Sequence, residues 1–505
     1  MKSVLEYLEN STNLYSEKTA IKCENESVTY KELLNSSQVI GTNLSKYINL
    51  NDPVIVFMDK GITTLEVFFG ILYAGGCYSL VNPDFPSVRL KEINNVLLSK
   101  VIITNEENFD KAKEVFENSI ILNTSELLKG TTNLDILNSI RNNKLDIDPV
   151  YINFTSGSTG TPKGVVVSNR SIIDFIPIFT SNFNINKDDL IANQAPFDFD
   201  VSVKDIYSSI FVGATLVIVP KAYFSNPVKL LDYLVDNQVT TLIWAVSALC
   251  LITTFHGLDY KVPDTVNKIL FSGEVMPIKH LNLWMNALPN AIFVNLYGPT
   301  EITCNCTYYI IDHSKMYEKL PIGIPFKNEK VFLLNENNEL ISAPNISGEI
   351  CVSGTCLGLG YYNNTLQTNK SFIQNPLNNH YNEMIYKTGD LAQYDSEGNL
   401  VFTGRKDFQV KYMGHRIELE EIDRAIMKIE GVKRVCTIFI EKKNKLYSFY
   451  IGDITREEII ESLNESVPVY MIPSVFKKID EFVLNKNGKI DRKYLESEVL
   501  NNGRK

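Results

Sequence analysis

Histidine is scarce in this chain. Five residues, His256, His280, His313, His380 and His415, lie far apart among 505, which lends no support to histidine-based catalysis or a histidine-lined metal cage. Cysteine is equally unpatterned: Cys23, Cys77, Cys250, Cys304, Cys306, Cys351, Cys356 and Cys436 show no paired C-x-x-C spacing of a structural zinc site and read as reduced core thiols. Long hydrophobic runs are missing. The longest, Val67 to Val81, is interrupted by Gly70, Gly75 and Gly76 and falls short of the roughly 20 residues a membrane helix needs. It reads as a buried helix turning into a strand. The first ten residues have the pattern of an amphipathic helix with early acids, without the basic and apolar blocks of a secretory signal. Cytoplasmic residence is the expectation. Positive charge is in deficit, 49 Lys and Arg against 59 Asp and Glu for a net −10, which argues against a nucleic acid or an anionic membrane as main partner.

What is present is the composition of a globular enzyme, 44% hydrophobic and 21% charged, at a length that predicts two or more domains. From about residue 28 to about 330, β-branched runs (Val54–Met58, Val101–Thr104, Thr215–Val219, Thr241–Ala245, Lys268–Phe271, Ile292–Leu296) alternate with helical segments. Such alternation predicts layered α/β sheets with parallel strands and a ligand at their carboxyl ends. Beyond about 330 shorter strands and turns predict a β-rich subdomain. After residue 404 a small α+β unit is expected, with a helix over Leu419–Ile429, a strand over Arg434–Ile440 and a helix over Arg456–Leu463. The predicted division is therefore an N-terminal core over residues 1–404 and a mobile C-terminal domain over 405–505.

The most informative stretch runs from Tyr151 to Val167. An apolar strand leads into a loop carrying Thr155, Ser156, Gly157, Ser158, Thr159 and Lys163. Glycine lets backbone N–H groups close around phosphate oxygens, the hydroxyls donate and the lysine adds charge. It is not a Walker A loop, because Pro162 precedes the lysine where that motif has glycine and Gly164 replaces its Ser/Thr. A nucleotide is implied, held by something other than a P-loop NTPase.

Further motifs follow in order: Asn193-Gln-Ala-Pro-Phe-Asp-Phe-Asp-Val-Ser-Val203, Phe271-Ser-Gly-Glu274, Asn295-Leu-Tyr-Gly-Pro-Thr-Glu301, Tyr386-Lys-Thr-Gly-Asp390, Gly404-Arg-Lys-Asp407 through Lys411 with Gly414-His-Arg416, and Asn487-Gly-Lys-Ile-Asp-Arg492. The set resembles the adenylate-forming enzymes, which include acyl-CoA synthetases, luciferases and the adenylation domains of nonribosomal peptide synthetases, and the resemblance covers nearly the whole chain. It implies ATP and Mg2+. It makes Tyr297 the adenine platform within an ATP site that includes Asn295, Thr300 a contact to the α-phosphate and Glu301 the Mg2+ ligand. Asp390 accepts the ribose hydroxyls with Arg405 assisting, and Lys489 becomes the catalytic lysine. Asp407 matches the hinge, and Lys411, Gly414 and Arg416 match the segment presented in a second, thioester-forming state. No protein nucleophile is required.

The same resemblance implies which acid is activated. Asp200 matches the aspartate that pairs with the α-ammonium of an amino acid, and a buried carboxylate needs such a cation. Val201, Lys204, Ser247, Leu270, Ser272, Leu296, Cys304 and Asn305, with Lys489, match specificity positions and describe a small, partly polar pocket. The free-standing D-alanine–carrier protein ligases are most similar overall. Two positions depart from them: Ser272 stands where they carry cysteine, and Lys204 stands where they have an apolar residue. Lys204 then means an acidic or hydroxylated substrate, or a side chain that snorkels to solvent. Asp200, Val201, Leu270, Ser272 and Leu296 together look similar to serine-activating domains. Because 16 residues follow Lys489, the phosphopantetheine thiol is expected from a separate carrier protein. The alternatives are an acyl-CoA synthetase for a small carboxylic acid, which Asp200 opposes, and a catalytically silent nucleotide-binding scaffold.

Overall fold

Continuous β-branched runs suit parallel strands buried on both faces, and those in the first part of the chain pair in that way. The computed structural model describes residues 1–157, 161–484 and 490–501. A nine-stranded sheet has the order Ile324–Pro325, Thr307–Ile310, Ile292–Tyr297, Lys268–Ser272, Thr241–Ala245, Leu190–Asn193, Thr215–Ile218, Thr19–Cys23, Glu26–Thr29. Its central strands are parallel and its margins antiparallel. A seven-stranded sheet has the order Gly360–Tyr361, Lys163–Ser168, Pro149–Thr155, Cys77–Leu80, Pro53–Phe57, Val101–Thr104, Ile120–Asn123. The Val67–Val81 run resolves into the end of the helix Ile62–Tyr73 followed by the strand Cys77–Leu80. From Glu329 an antiparallel sheet of six strands follows, in which Met384–Tyr394 pairs with Leu400–Arg405.

The chain divides into two compact units, one of residues 1–83, 97–154 and 164–406, the other of residues 84–96, 155–163 and 407–505. The break in the main chain falls after Lys406, and two short earlier segments group with the second unit. In that unit a hairpin joins Gln409–Tyr412 to His415–Glu418. Met413 and Gly414 at its tip both have positive φ, 52° and 82°, the requirement of a tight two-residue turn. The helix Leu419–Met427 and a three-stranded sheet (Val432–Ile440, Lys445–Gly452, Val475–Lys478) follow. The helix Arg456–Ser466 starts at a capping box in which Thr455 and Glu458 satisfy each other's backbone N–H. No helix among the described residues is long and apolar enough to cross a membrane.

Candidate active site

Alternation along the strands builds a buried wall in the first unit. Side chains two apart share a face of a sheet, so Leu270 and Ser272 point the same way and Leu296 lies on the neighbouring strand. Leu270 and Leu296 belong to one apolar cluster with Val203, Ile206 and Ile210 of the helix Val201–Val212. The intervening residues Ile269, Phe271 and Phe293 enter a different cluster. Asp200 stands at the N-cap of that helix, buried, yet its side chain makes no capping bond. Its carbonyl accepts the Cys304 thiol at 3.0 Å. Val201 is buried and Ser247, in the first turn of the helix Val246–Thr254, is half-buried. Lys204 does not snorkel: it is fully buried and its Nζ donates to Ser272 Oγ at 3.2 Å and to Asn305 Oδ1 at 2.6 Å.

The turn carrying Thr300, Glu301 and Asn305 is tightly closed. A side chain at Gly298 would put Cβ 2.5 Å from both Asn305 Cα and the Cys304 carbonyl. Thr303 and Cys304 both hold positive φ, 55° and 76°, a conformation that costs about 1–3 kcal/mol per residue and collects at functional sites. Glu301 is buried and accepts from Tyr361 Oη at 2.7 Å. Asn295, one strand position from Leu296, donates its amide to the Pro321 carbonyl at 2.7 Å.

The same buried wall holds a second polar cluster. Lys60 donates to Asn193 Oδ1 at 3.2 Å and to the Gln194 carbonyl at 2.9 Å, and Asn193 donates to Asp205 Oδ2 at 2.8 Å. Burial pushes the Asp205 carboxyl well above the usual range, with Asn193, Lys204 and Lys60 acting against it. Burial lowers Lys60 to about 8, with Asp205 as the main opposing charge.

Asp390 joins two more expected residues. Pairing of Met384–Tyr394 with Leu400–Arg405 sets Asp390 opposite Arg405, whose Nη1 bonds Asp390 Oδ1, while Tyr297 Oη donates to Asp390 Oδ2 at 2.6 Å. Each carboxylate oxygen has a second lone pair, so these bonds leave acceptor capacity for ribose hydroxyls. Burial and the neighbouring Asp390 hold the Tyr297 phenol well above its ordinary pKa.

The second unit contains the glycine-rich loop. Gly157 tolerates no side chain, since a Cβ would lie 1.9 Å from the Thr161 carbonyl oxygen. Its N–H donates to Glu421 Oε2 at 3.3 Å, its carbonyl accepts from Arg424 Nη2 at 3.2 Å, and Ser156 Oγ donates to the Arg416 carbonyl at 2.7 Å. Glu421 also accepts from Arg89 Nη1 at 2.9 Å. Lys163 is buried where its strand begins, and Thr155 ends the strand before the loop. Lys411 pairs with Arg416 across the hairpin, and Asp407 Oδ1 accepts from the Gln409 N–H at 3.2 Å. Ser158, Thr159 and Lys489 lie outside the described residues.

Sequence reasoning missed Tyr361, Lys60, Asp205, Arg89 and Glu421. Asp205 adjoins Lys204 in a buried helix turn, a local signal. The others meet their partners only through long-range folding.

Residues 8–362 match the AMP-binding enzyme family. Zwittermicin A synthase ZmaJ of Bacillus cereus is 33% identical over 95% of this chain and 92% of its own. Gramicidin S synthase 1 of Brevibacillus brevis is 28% identical over 99% of this chain, which spans only 45% of that protein. Among solved structures, the Vibrio cholerae adenylation domain AlmE, in complex with glycyl-adenosine-5'-phosphate, superposes with a TM-score of 0.85 at 22% identity, covering 99% of this chain and 98% of that one. NpsA-ThdA, an artificially fused adenylation-PCP di-domain from Klebsiella oxytoca, gives 0.81 at 20% identity with 94% of each chain covered. With its ordered motifs and this match over most of its length, the chain belongs to the AMP-binding enzymes, the adenylate-forming, ATP-dependent ligases.

Proposed function

We propose that this protein activates a small amino acid. The substrate carboxylate attacks the α-phosphorus of ATP, pyrophosphate leaves, and the aminoacyl-adenylate then passes to the phosphopantetheine thiol of a carrier protein. The observation that carries this reading is Asp200, which matches the family's α-ammonium-binding aspartate and is buried at the start of the helix Val201–Val212. An α-ammonium placed beside it adds a charge-assisted hydrogen bond that acetate or a fatty acid cannot make. The synthase and adenylation-PCP proteins named above support a carrier as acceptor.

In this reading Thr155, Ser156, Gly157, Ser158, Thr159 and Lys163 hold phosphates, Thr300 meets the α-phosphate, and Asn295 and Tyr297 frame the adenine. Asp390, braced by Arg405, orients the ribose. Glu301 fits Mg2+, because its buried carboxylate offers hard oxygen donors and such an ion commonly takes one or two carboxylates besides phosphates and water. Bound Mg2+ would neutralise phosphate charge. Lys489 steadies the substrate carboxylate against the α-phosphorus, where positioning and charge neutralisation make up nearly all of the catalysis. Rotation about Asp407 then exchanges Lys489 for the Lys411–Arg416 hairpin and admits the thiol.

Amino-acid-dependent ATP–pyrophosphate exchange tests this, with both enantiomers of alanine and serine and with acetate. Exchange with an amino acid and none with acetate is expected, followed by transfer of label to a holo carrier protein in preference to coenzyme A. Exchange with acetate alone would point to an acyl-CoA synthetase, and none with any acid to a silent scaffold.

A further inference from the structure

We infer that Tyr361 is a positioning residue: its hydroxyl sets the direction of the Glu301 carboxylate and so governs how tightly that carboxylate holds a divalent cation. This rests on the Mg2+ role proposed for Glu301 above. Glu301 stands beside strained backbone, the positive φ of Thr303 and Cys304, and such backbone persists only where its surroundings over-determine it. The stretch from Cys356 to Tyr361 supplies three bonds to that turn. Thr303 Oγ1 donates to the Cys356 carbonyl at 2.7 Å, the Gly358 N–H to the Glu301 carbonyl at 2.8 Å, and Tyr361 Oη to Glu301 Oε1 at 2.7 Å. Gly358 has no room for a side chain, since its Cβ would lie 2.9 Å from the Val166 carbonyl oxygen and 3.1 Å from that of Glu301. Of these three bonds, the third reaches the carboxylate.

Tyr361 is itself held by contacts that do not involve Glu301. Gly360 and Tyr361 pair with Val166 and Val165, and on either side the Leu359 N–H donates to the Val166 carbonyl at 2.8 Å and the Tyr362 N–H to the Gly164 carbonyl at 2.7 Å. The Tyr361 N–H donates to Thr368 Oγ1 at 2.9 Å, and the phenol ring meets Phe372 edge-on, 5.9 Å between centroids at 75°. Phenol and carboxylate are both buried. A hydroxyl fixed in this way is a pre-set donor, and its bond to an ionised carboxylate is roughly twice as strong as one between neutral groups. A carboxylate accepts at about four sites, so a donor fixed at Oε1 decides which way the others face. Carboxylates that ligate metals are commonly braced by such an outer hydrogen bond, whose loss costs about 10–100-fold in metal affinity or activity.

The test measures binding without turnover. Mn2+, which shares the preference of Mg2+ for oxygen ligands, is added to the full chain in excess over ATP with no amino acid, and free Mn2+ is followed by electron paramagnetic resonance. Tyr361→Phe keeps the ring against Phe372 and should weaken Mn2+ binding about 10–100-fold, while its affinity for ATP in EDTA, read by calorimetry, stays that of the parent. Glu301→Gln should lose at least as much. Phe372→Leu loosens the ring but keeps the hydroxyl, and should bind Mn2+ as the parent does. If Tyr361→Phe fails to fold, Thr368→Val decides: it keeps the shape of Thr368 and removes the acceptor of the Tyr361 N–H, so a severalfold weaker Mn2+ affinity supports the inference and a parental one overturns it. Parental Mn2+ affinity in Tyr361→Phe beside a loss in Glu301→Gln overturns the inference and leaves Glu301 as the ligand. An equal loss in Phe372→Leu and Tyr361→Phe also overturns it, since packing and not the hydroxyl would then place the carboxylate. Parental affinity in Glu301→Gln overturns the Mg2+ role of Glu301, and the inference with it.

Discussion

The buried wall of the first unit and the glycine-rich loop both carry polar groups, but they are held in different ways. In the wall, buried side chains bond to buried side chains across separate elements: Lys204 to Ser272 and Asn305, Asn193 to Asp205, Arg405 and Tyr297 to Asp390. Breaking any of these strands a partner away from water. In the loop, the bonded groups are largely main-chain ones: the N–H and carbonyl of Gly157 and the carbonyl of Arg416. An N–H that accommodates a carboxylate can accommodate a phosphate oxygen instead, since both are anionic acceptors. In the function proposed here, recognition of the acid and the ribose would fall to the fixed set of contacts, and handling of the phosphates to the exchangeable set.

The largest effect that would break this comparison belongs to Asp390→Ala. It removes the acceptor of both Tyr297 and Arg405 and leaves the guanidinium, whose side chain is 12% exposed, without its carboxylate. Breaking a buried pair this way costs about 3 kcal/mol or more, to be read from urea unfolding, together with a large rise in the KM for ATP. A stability loss under about 1 kcal/mol would show that the wall is no more rigid than the loop. Glu421→Gln should do less and in the opposite direction. The neutral amide competes more weakly for the Gly157 N–H, so the KM for ATP should fall severalfold in pyrophosphate exchange; an unchanged or raised KM would mean that the carboxylate does not stand in for phosphate. Arg89 keeps Glu92 within 3.6 Å, so the variant should still fold.

Much of this was legible in the sequence, for reasons that differ by region. Buried parallel strands advertise themselves as apolar runs, and Val101–Thr104 and Thr241–Ala245 match residue for residue. Motif residues adjacent in the chain, such as Asp200, Val201 and Lys204, fall on one helix turn. The direction Lys204 takes was not legible, because snorkelling and burial give the same sequence pattern and only Ser272 and Asn305 on other elements decide between them. Nor was the contact of Glu421 with Gly157, 264 residues earlier, since neither residue carries a local signal of it.

The smallest expected effect sharpens the comparison from inside the wall. The Asp205 carboxyl titrates near 8 in the folded protein and near 4 in an unfolded chain. Between those values the native state holds a proton that the unfolded state has released, so this group's contribution to stability is present at low pH and drains away as pH rises. Lys60, lowered to about 8, works the other way: its contribution is present above its unfolded pKa and is lost as pH falls from about 10 towards 8. A window from pH 5 to 7.5 therefore isolates Asp205. Asp205→Asn keeps an acceptor for Asn193 and removes the titration, so its stability should fall less steeply across that window than that of the parent, with the two curves closest at pH 5. Parallel curves would mean that the carboxyl is already ionised at pH 5, with Lys60 and Lys204 outweighing its burial; the fixed contacts of the wall would then be ionic rather than neutral.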